Sequence, residues 1–155
     1  MKRRRGETPS PLGRQVRLIT AITILGFICI NGSYRWGLVI GQSWLTIASG
    51  WILVATGIIV RALAAIALGS TQKIEALVTS GIYGETRNPI YLAMVLVMVG
   101  AALVSRAMLA IGWAAASMAA LYWLAKREER DLEQAFGETY RRYKQNVPMF
   151  WPHIR

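Results

Sequence analysis

Four long apolar blocks limit what this chain can fold into more than any other feature of its sequence. They cover residues 18–30, 43–68, 89–104 and 107–125, and Arg61 is the only charged residue within them. A helix needs about 20 mostly apolar residues to cross a bilayer, and only helices and closed barrels satisfy all their backbone groups in lipid. The blocks therefore predict an all-α integral membrane bundle of about four transmembrane helices, the third of them short.

Two breaks between the blocks define how these helices connect. Residues 31–36 are largely polar, so residues 18–40 form either one full span or a segment that only partly enters the membrane. Ser105 and Arg106 alone separate the third and fourth blocks. This short break predicts a tight helical hairpin in which the long Arg106 side chain reaches the far interface.

Composition and charge agree with a membrane protein and exclude several other classes. Hydrophobic residues make up 54% of the 155 residues, and charged residues make up 17%. The net charge is +10, but most basic residues lie in two tails beside apolar blocks, where they contact anionic lipid rather than nucleic acid. Cys29 and His153 are the only cysteine and histidine, so we predict no disulfide, no metal site and no catalysis by a histidine.

The distribution of lysine and arginine predicts the orientation in the membrane. These residues concentrate in residues 1–17, 73–87 and 126–155, whereas Arg35 and Arg106 stand alone in the two other turns. Positively charged loops stay in the cytoplasm, so we expect both termini there, in a bacterial-type inner membrane or an equivalent one. Residues 1–17 form a basic cytoplasmic tail, and residues 18–155 form a single domain whose motifs lie within residues 75–152.

The C-terminal part has a helical periodicity of its own. Leu132, Phe136, Tyr140 and Tyr143 recur three or four residues apart, and many of the positions between them are basic. This pattern is typical of an amphipathic helix at the membrane interface. Residues 147–152 are apolar with two prolines, and we expect them to lie back on the membrane surface.

The polar residues 81–91 carry side chains suited to chemistry at the start of a helix. Asn88 followed by Pro89 predicts an N-cap, whose amide accepts a backbone N–H, and a first helical residue. A helix N-terminus of this kind attracts anions. The hairpin returns Glu128 and Glu129 to the same interface, where they either form a structural ion pair with Arg87 or complete an active site with it.

Two stretches of the chain carry linked motifs. The first is Leu77-Val-Thr-Ser-Gly-Ile-Tyr-Gly-Glu-Thr-Arg-Asn-Pro-Ile-Tyr91. The second begins at Glu128-Glu129 and continues through Leu132, Phe136-Gly137, Tyr140, Tyr143 and Val147-Pro148. In order and spacing, the pair resembles the signature of the isoprenylcysteine carboxyl methyltransferase and phospholipid methyltransferase superfamily.

This resemblance implies a methyltransferase that uses S-adenosylmethionine on a lipophilic acceptor, either a prenylcysteine-like carboxylate or a lipid head group. The lipid bilayer and this acceptor are the predicted partners. The resemblance assigns catalysis to Arg87, Asn88 and Glu129, the last as proton acceptor where the acceptor group loses a proton. The cofactor-binding residues that it implies are Leu77, Val78, Tyr83, Asn88, Pro89, Tyr91 and Glu128.

The sequence departs from the family pattern at two positions. Asn88 stands where the family motif has a histidine, so the hydrogen bonding and the helix cap are retained but a role in proton transfer is not. Leu124 stands one turn before the acidic pair, where the prenylcysteine enzymes carry an arginine for the substrate carboxylate. The second departure weakens the prenylcysteine assignment more than the methyltransferase assignment.

Two other functions are open to a chain of this kind. A nicotinamide-dependent, sterol-type membrane reductase has a related C-terminal pattern, but such chains are longer and often carry histidine at the acidic pair. A small multidrug-type transporter, which is not an enzyme, requires an acidic residue within the membrane. All eight Asp and Glu lie outside the apolar blocks, which argues against transport.

Overall fold

The computed structural model describes residues 11–41, 43–69 and 77–150, with side chains from Arg17 onward. This description does not include tail residues 1–10, loop residues 70–76 or residues 151–155. The predicted motif region ends within the last of these ranges. In the described ranges the chain forms five α-helices and one 3₁₀ turn, and it has no β-strand. The helices are α1 (Pro11–Arg35), α2 (Trp44–Gly69), α3 (Pro89–Ser105), α4 (Met108–Phe136) and α5 (Glu138–Asn146), and the 3₁₀ turn is Gly81–Gly84.

The first four helices pack side by side in the order α1, α4, α3, α2. Trp113 Nε1 donates a 3.0 Å hydrogen bond to the Ile22 carbonyl, and Leu109 N donates one of 3.1 Å to Ser33 Oγ. These contacts make α1 antiparallel to α4, and the bundle alternates in direction throughout. Helices α1 and α3 therefore begin, and α2 and α4 end, at one end of the bundle, which we call the cavity end. The opposite end is the far end.

The helices confirm the prediction of an all-α membrane bundle. Among the described residues, Arg17–Arg35 in α1, all of α2 and all of α4 are long and apolar enough to cross a membrane. Helix α1 continues to Arg35 without a break, so the first block forms one full helix rather than a partial segment. Helix α3 has 17 residues. This length corresponds to about 25 Å, which makes α3 the short helix that the sequence predicts.

Glycines bring the backbones of α2 and α3 into close contact. Gly50 and Gly57 are buried on α2. A Cβ atom added at Gly57 would lie 2.8 Å from the Ala93 carbonyl oxygen, and one at Gly100 on α3 would lie 2.6 Å from the Gly50 carbonyl oxygen. Membrane helices associate through such small residues, because lipid offers no hydrophobic driving force for their packing.

Alanine at Gly57 is expected to destabilise the protein by about 1–3 kcal/mol, the usual cost of overpacking. The reason is that the Ala93 carbonyl is a helix backbone atom that cannot move away alone. Gly112→Ala is the matched control, because no described atom beyond its chain neighbours and its own helix backbone lies within 4 Å of a Cβ atom placed there. Unfolding in mixed micelles measures both variants, and equal stabilities would contradict the close α2–α3 contact.

The far end is closed by hydrogen bonds between the two helix connections. Arg106 adopts a left-handed backbone conformation with φ of 60° and ends α3, which confirms the tight hairpin. Its Nε and Nη2 atoms donate to the Ile40 carbonyl at 3.0 and 2.9 Å, and Met108 N donates to the Leu38 carbonyl at 3.1 Å. The Arg106 side chain thus fastens the α1–α2 connection to the hairpin.

The predicted amphipathic helix is divided between α4 and α5. Helix α4 continues past its apolar residues as far as Phe136, and Gly137, with φ of 53°, turns the chain into α5. A positive φ of this size favours glycine, which has no Cβ atom. Because of this turn, the apolar stripe lines a cavity inside the protein, whereas the periodicity assigned it to the membrane surface.

Residues 147–150, which the sequence predicts to lie on the membrane surface, are hydrogen-bonded to the residues just before α3. The Pro148 carbonyl accepts a 3.0 Å hydrogen bond from Arg87 N, and the Met149 carbonyl accepts one of 3.0 Å from Thr86 Oγ1. The Phe150 ring lies 6.3 Å from the Tyr122 ring. Buried donors need acceptors, and this segment supplies them to the start of α3.

Candidate active site

A cavity of about 370 Å³ lies at the end of the bundle where α1 and α3 begin, and the cavity end takes its name from it. Every residue that the resemblance assigned to cofactor binding lines it, and so do two of the three residues assigned to catalysis, Arg87 and Asn88. The third, Glu129, lies behind the cavity wall. The lining residues are Ile19, Leu68, Leu77, Val78, Tyr83, Arg87, Asn88, Pro89, Ile90, Tyr91, Glu128, Leu132, Phe136, Tyr140 and Tyr143.

A hydrogen bond between α3 and α4 joins the two motifs at the cavity. The Tyr91 hydroxyl donates to Glu128 Oε2 at 2.6 Å. Tyr91 lies in the first turn of α3, and Glu128 lies in the polar extension of α4. The antiparallel hairpin thus brings together two residues that are 37 positions apart in sequence, as the topology predicts.

Arg87, which lines the cavity, forms a buried ion pair with Glu129 behind the cavity wall. Arg87 Nη2 lies 3.0 Å from Glu129 Oε1, and the two side chains are 8% and 3% exposed. Arg87 Nη1 also donates to the Lys144 carbonyl at 3.1 Å. Arg87 Nε and Glu129 Oε2 are buried without a hydrogen-bond partner among the residues that the structure describes. The pair therefore fixes the Arg87 side chain but leaves one donor and one acceptor unused.

Asn88 occupies the predicted N-cap position of α3, but its side chain makes no capping hydrogen bond. Asn88 Nδ2 instead donates to Glu129 Oε1 at 3.3 Å and to the Met149 carbonyl at 3.4 Å. A buried carboxylate without donors costs more free energy than a helix end without a side-chain cap. The Asn88 amide therefore donates to Glu129 instead of capping α3. The prediction that the amide caps the helix is therefore wrong, although the prediction that the helix begins at Pro89 is confirmed.

Burial raises the pKa of three tyrosine hydroxyls around the cavity. The pKa of Tyr140 rises from 10.0 to about 12, first because the hydroxyl is desolvated and then because Glu129 is negatively charged. Desolvation likewise raises the pKa of Tyr83 and Tyr143. The Tyr143 hydroxyl donates a 2.6 Å hydrogen bond to the Tyr83 carbonyl. These tyrosines stay protonated at neutral pH, so they act as donors and not as bases.

The raised pKa of Tyr140 predicts how stability depends on pH in alkali. A folded pKa above the unfolded value contributes stability that is fully present below about pH 10 and is lost as the pH rises towards 12. We expect the thermal unfolding midpoint to fall more steeply across this range in the parent than in Tyr140→Phe. The exposed Tyr122→Phe is the control and should keep the parental slope. The same slope in all three proteins would contradict the burial of the Tyr140 hydroxyl.

Several residues at the site have no counterpart in the sequence prediction. Ile19 of α1 and Leu68 of α2 line the cavity, although no motif lies in the first two apolar blocks. Thr86 is 1% exposed, and its Oγ1 donates to the Met149 carbonyl. In the sequence, only its position beside Arg87 indicated that it belongs to the site. Leu124 packs against the apolar core, so the position of the family arginine contributes no side chain to the cavity.

The family of the chain follows from one further observation. Residues 36–139 match the family model described as phospholipid methyltransferase, over more than half of the chain. The chain belongs to the phospholipid methyltransferase family. As a member of this family it is a membrane methyltransferase, which confirms the resemblance and disfavours the reductase and the transporter. Comparisons with curated proteins and with solved structures find no match.

Proposed function

We propose that this family member transfers a methyl group from S-adenosylmethionine to a lipophilic acceptor, a prenylcysteine-like carboxylate or a lipid head group. The observation that carries the proposal is the cavity, which unites residues of both motifs. Its volume of about 370 Å³ lies in the range of small-molecule and cofactor sites. The family match supports the methyl transfer itself.

The polar groups of the cavity fit the charges of this cofactor. Its ammonium group and ribose hydroxyls need an acceptor, and Glu128 lines the cavity with a carboxylate whose Oε2 already accepts from Tyr91. Its carboxylate needs donors, and Arg87 lines the cavity with an Nε that has no hydrogen-bond partner among the described residues. The first turn of α3, beginning at Pro89, adds free backbone N–H groups and a positive dipole end.

When bound, S-adenosylmethionine supplies an electrophilic methyl group on a sulfonium. The protein's own contribution is then alignment of the two reactants and exclusion of water. Leu132 and Phe136 give the cavity an apolar wall, and Tyr140 and Tyr143 give it an aromatic one. Glu129 holds Arg87 in place through the buried ion pair, so we assign it a positioning role.

The acceptor reaches the cavity from the membrane. Ile19 and Leu68 lie on the two outer helices, and both line the cavity with apolar side chains. An acceptor amine would lose a proton on methylation, and Glu128 is the carboxylate of the acidic pair that lines the cavity. Glu129 is 2% exposed, bonded to Arg87 and absent from the cavity lining, so it does not face an acceptor in the cavity.

The cavity end faces the cytoplasm in this proposal. Of the 18 lysines and arginines, only Arg35 and Arg106 belong to the far-end connections, and positive charge is retained on the cytoplasmic side. Lys126 Nζ lies 5.7 Å from the centre of the Tyr122 ring, and the Arg127 guanidinium lies 5.9 Å from that of Trp123. Such aromatic and basic residues mark an interface, here just before Glu128. Both termini are then cytoplasmic, in a bacterial-type inner membrane or an equivalent one.

Methyl transfer to lipid tests the proposal directly. Purified protein in nanodiscs is incubated with methyl-labelled S-adenosylmethionine and a lipid extract of the host. We expect label in the organic phase, in one lipid class, and none with protein inactivated by heat. Label that stays in the aqueous phase, with the cofactor intact and the protein folded, would contradict the proposal.

A further inference from the structure

Arg61 is the one charged residue within α2, and it belongs neither to the two motifs nor to the residues that line the cavity. A charged side chain within a membrane helix is costly and marks a functional site by default. Within the ranges that the structure describes, no carboxylate forms an ion pair with Arg61, whereas Arg87 pairs with Glu129. The Arg61 side chain is exposed on the helix. Among the described residues, this guanidinium therefore has no anion of its own.

The glycine contacts between α2 and α3 fix the height of Arg61 in the bundle. A Cβ atom added at Gly50 would lie 2.9 Å from the Gly100 carbonyl oxygen, and one at Gly57 would lie 2.8 Å from the Ala93 carbonyl oxygen. Seven residues forward along α2 thus match seven residues back along α3, as antiparallel helices require. Arg61 follows Gly57 by one further turn. This register places it level with the first turn of α3, at the cavity end.

Arg61 also lies on the stripe of α2 that leads from the α3 contact to the cavity. Val54 precedes it by seven residues and Leu68 follows it by seven, so each side chain lies within about 20° of the next around the helix. Val54 packs against α3, because a Cβ atom added at Gly100 would lie 2.8 Å from Val54 Cγ2. Leu68 lines the cavity. Arg61 therefore stands between the packed part of α2 and the cavity.

The charges of Arg61 and Glu128 both act on the Tyr83 hydroxyl, and Tyr83 lines the cavity. Burial raises the pKa of Tyr83 most, the negative charge of Glu128 raises this pKa further, and the positive charge of Arg61 lowers it. Coulomb interactions weaken with distance, so this effect agrees with the register in placing Arg61 beside the cavity. Helix α3 packs between α2 and α4. Its first turn therefore has Arg61 on one side and Glu128 on the other.

We propose that Arg61 binds the carboxylate of S-adenosylmethionine from the α2 side of the cavity, while Glu128 accepts its ammonium group. This proposal rests on the proposed function and adds a binding residue to it. The amino-acid end of the cofactor carries one negative and one positive group on the same carbon atom. A basic side chain and an acidic one on either side of a helix N-terminus match that pair of charges.

Arg61 gives the carboxylate a contact that Arg87 does not supply. A guanidinium binds a carboxylate best through two parallel hydrogen bonds. Arg87 already uses Nη1 for the Lys144 carbonyl and Nη2 for Glu129, so its Nε offers a single N–H. Arg61 has no ion-pair partner among the described residues, so it offers the paired N–H groups of its guanidinium. We therefore expect Arg61 to add affinity for the carboxylate beyond what Arg87 and the helix provide.

Calorimetry with two matched ligands tests this assignment without relying on turnover. S-adenosylmethionine and decarboxylated S-adenosylmethionine differ only in the carboxylate. In the purified full-length protein, we expect Arg61→Gln to lower the affinity for S-adenosylmethionine by about tenfold or more and to leave the affinity for the decarboxylated ligand unchanged. Arg61→Lys should lose less, because the charge remains but the paired N–H groups do not. Arg35→Gln, at the far end, is the matched control and should bind both ligands like the parent.

Two outcomes would overturn the assignment of Arg61. One is an Arg61→Gln variant that binds S-adenosylmethionine as the parent does. The other is an equal loss for both ligands at an unchanged thermal unfolding midpoint, because Arg61 would then act on the cavity and not on the carboxylate. A parent that binds neither ligand would contradict the proposed function, and this assignment with it. A parent that binds S-adenosylmethionine independently of Arg61 would contradict this assignment alone.

Discussion

Replacing Glu128 by alanine is expected to lower the affinity for S-adenosylmethionine by about 100-fold, as the loss of a hydrogen bond between charged groups does. Glu128 lines the cavity from α4, and its Oε2 atom accepts the Tyr91 hydroxyl at 2.6 Å. Its other oxygen is the acceptor that we assign to the cofactor. Isothermal titration calorimetry of parent and variant in detergent measures the change.

Glu138→Ala is the matched control for this substitution. Glu138 is a glutamate at the same end of the protein, but its side chain is 64% exposed and lies outside the cavity lining. Its contacts with Arg141 and Arg142 are surface ion pairs, which contribute little. The control should therefore bind the cofactor like the parent. Equal affinities of parent and Glu128→Ala would show that the cavity holds the cofactor by other groups.

The largest effect on stability is expected at the buried ion pair. Glu129→Leu leaves Arg87 charged, 8% exposed and without its partner. Breaking a buried pair on one side costs about 3–5 kcal/mol, because the remaining charge is left uncompensated. The same loss is expected for Arg87→Met, and unfolding of both variants in mixed micelles measures it.

The double variant Arg87→Met with Glu129→Leu separates charge from packing. Replacing both partners by apolar residues of similar size removes the unpaired charge, so we expect the double variant to be more stable than either single variant. Arg141→Ala, which breaks the exposed pair with Glu133, should cost less than about 1 kcal/mol. Additive losses in the double variant would contradict a coupled buried pair.

The architecture could be predicted from the sequence because it depends on apolar length and short connections. Charge-free blocks separated only by Ser105 and Arg106 must form a hairpin, and the hairpin places Tyr91 beside Glu128. The motifs also identified most of the cavity wall. These features depend on spacing along the chain, and spacing can be read directly.

The arrangement at the cavity could not be predicted to the same extent, because it depends on competition between buried polar groups. Asn88 has the residue type of an N-cap, yet its amide is drawn to the Glu129 carboxylate and the Met149 carbonyl. Gly137 was readable as a motif residue, but not as the turn that folds α5 over the cavity. Which hydrogen bonds these side chains make, and where the chain turns, depends on neighbours that are distant in sequence.

The contribution of the first two helices was also invisible in the sequence. Ile19 and Leu68 are ordinary apolar residues within apolar blocks, and no periodicity distinguishes a residue that lines a cavity from one that faces lipid. The glycines of the α2–α3 contact set how close the helices pack, but glycine alone does not reveal its partner helix. These residues are found only once the packing order of the helices is known.

The location of the bound cofactor product tests the central claim most directly. An experimental structure of the protein in nanodiscs with S-adenosylhomocysteine should show the ligand in the cavity, with its amino-acid end between Glu128 and the first turn of α3. Arg87 should remain paired with Glu129 while it lines the cavity. Density for the ligand at any other place, or a cavity that stays empty at saturating ligand, would contradict the account.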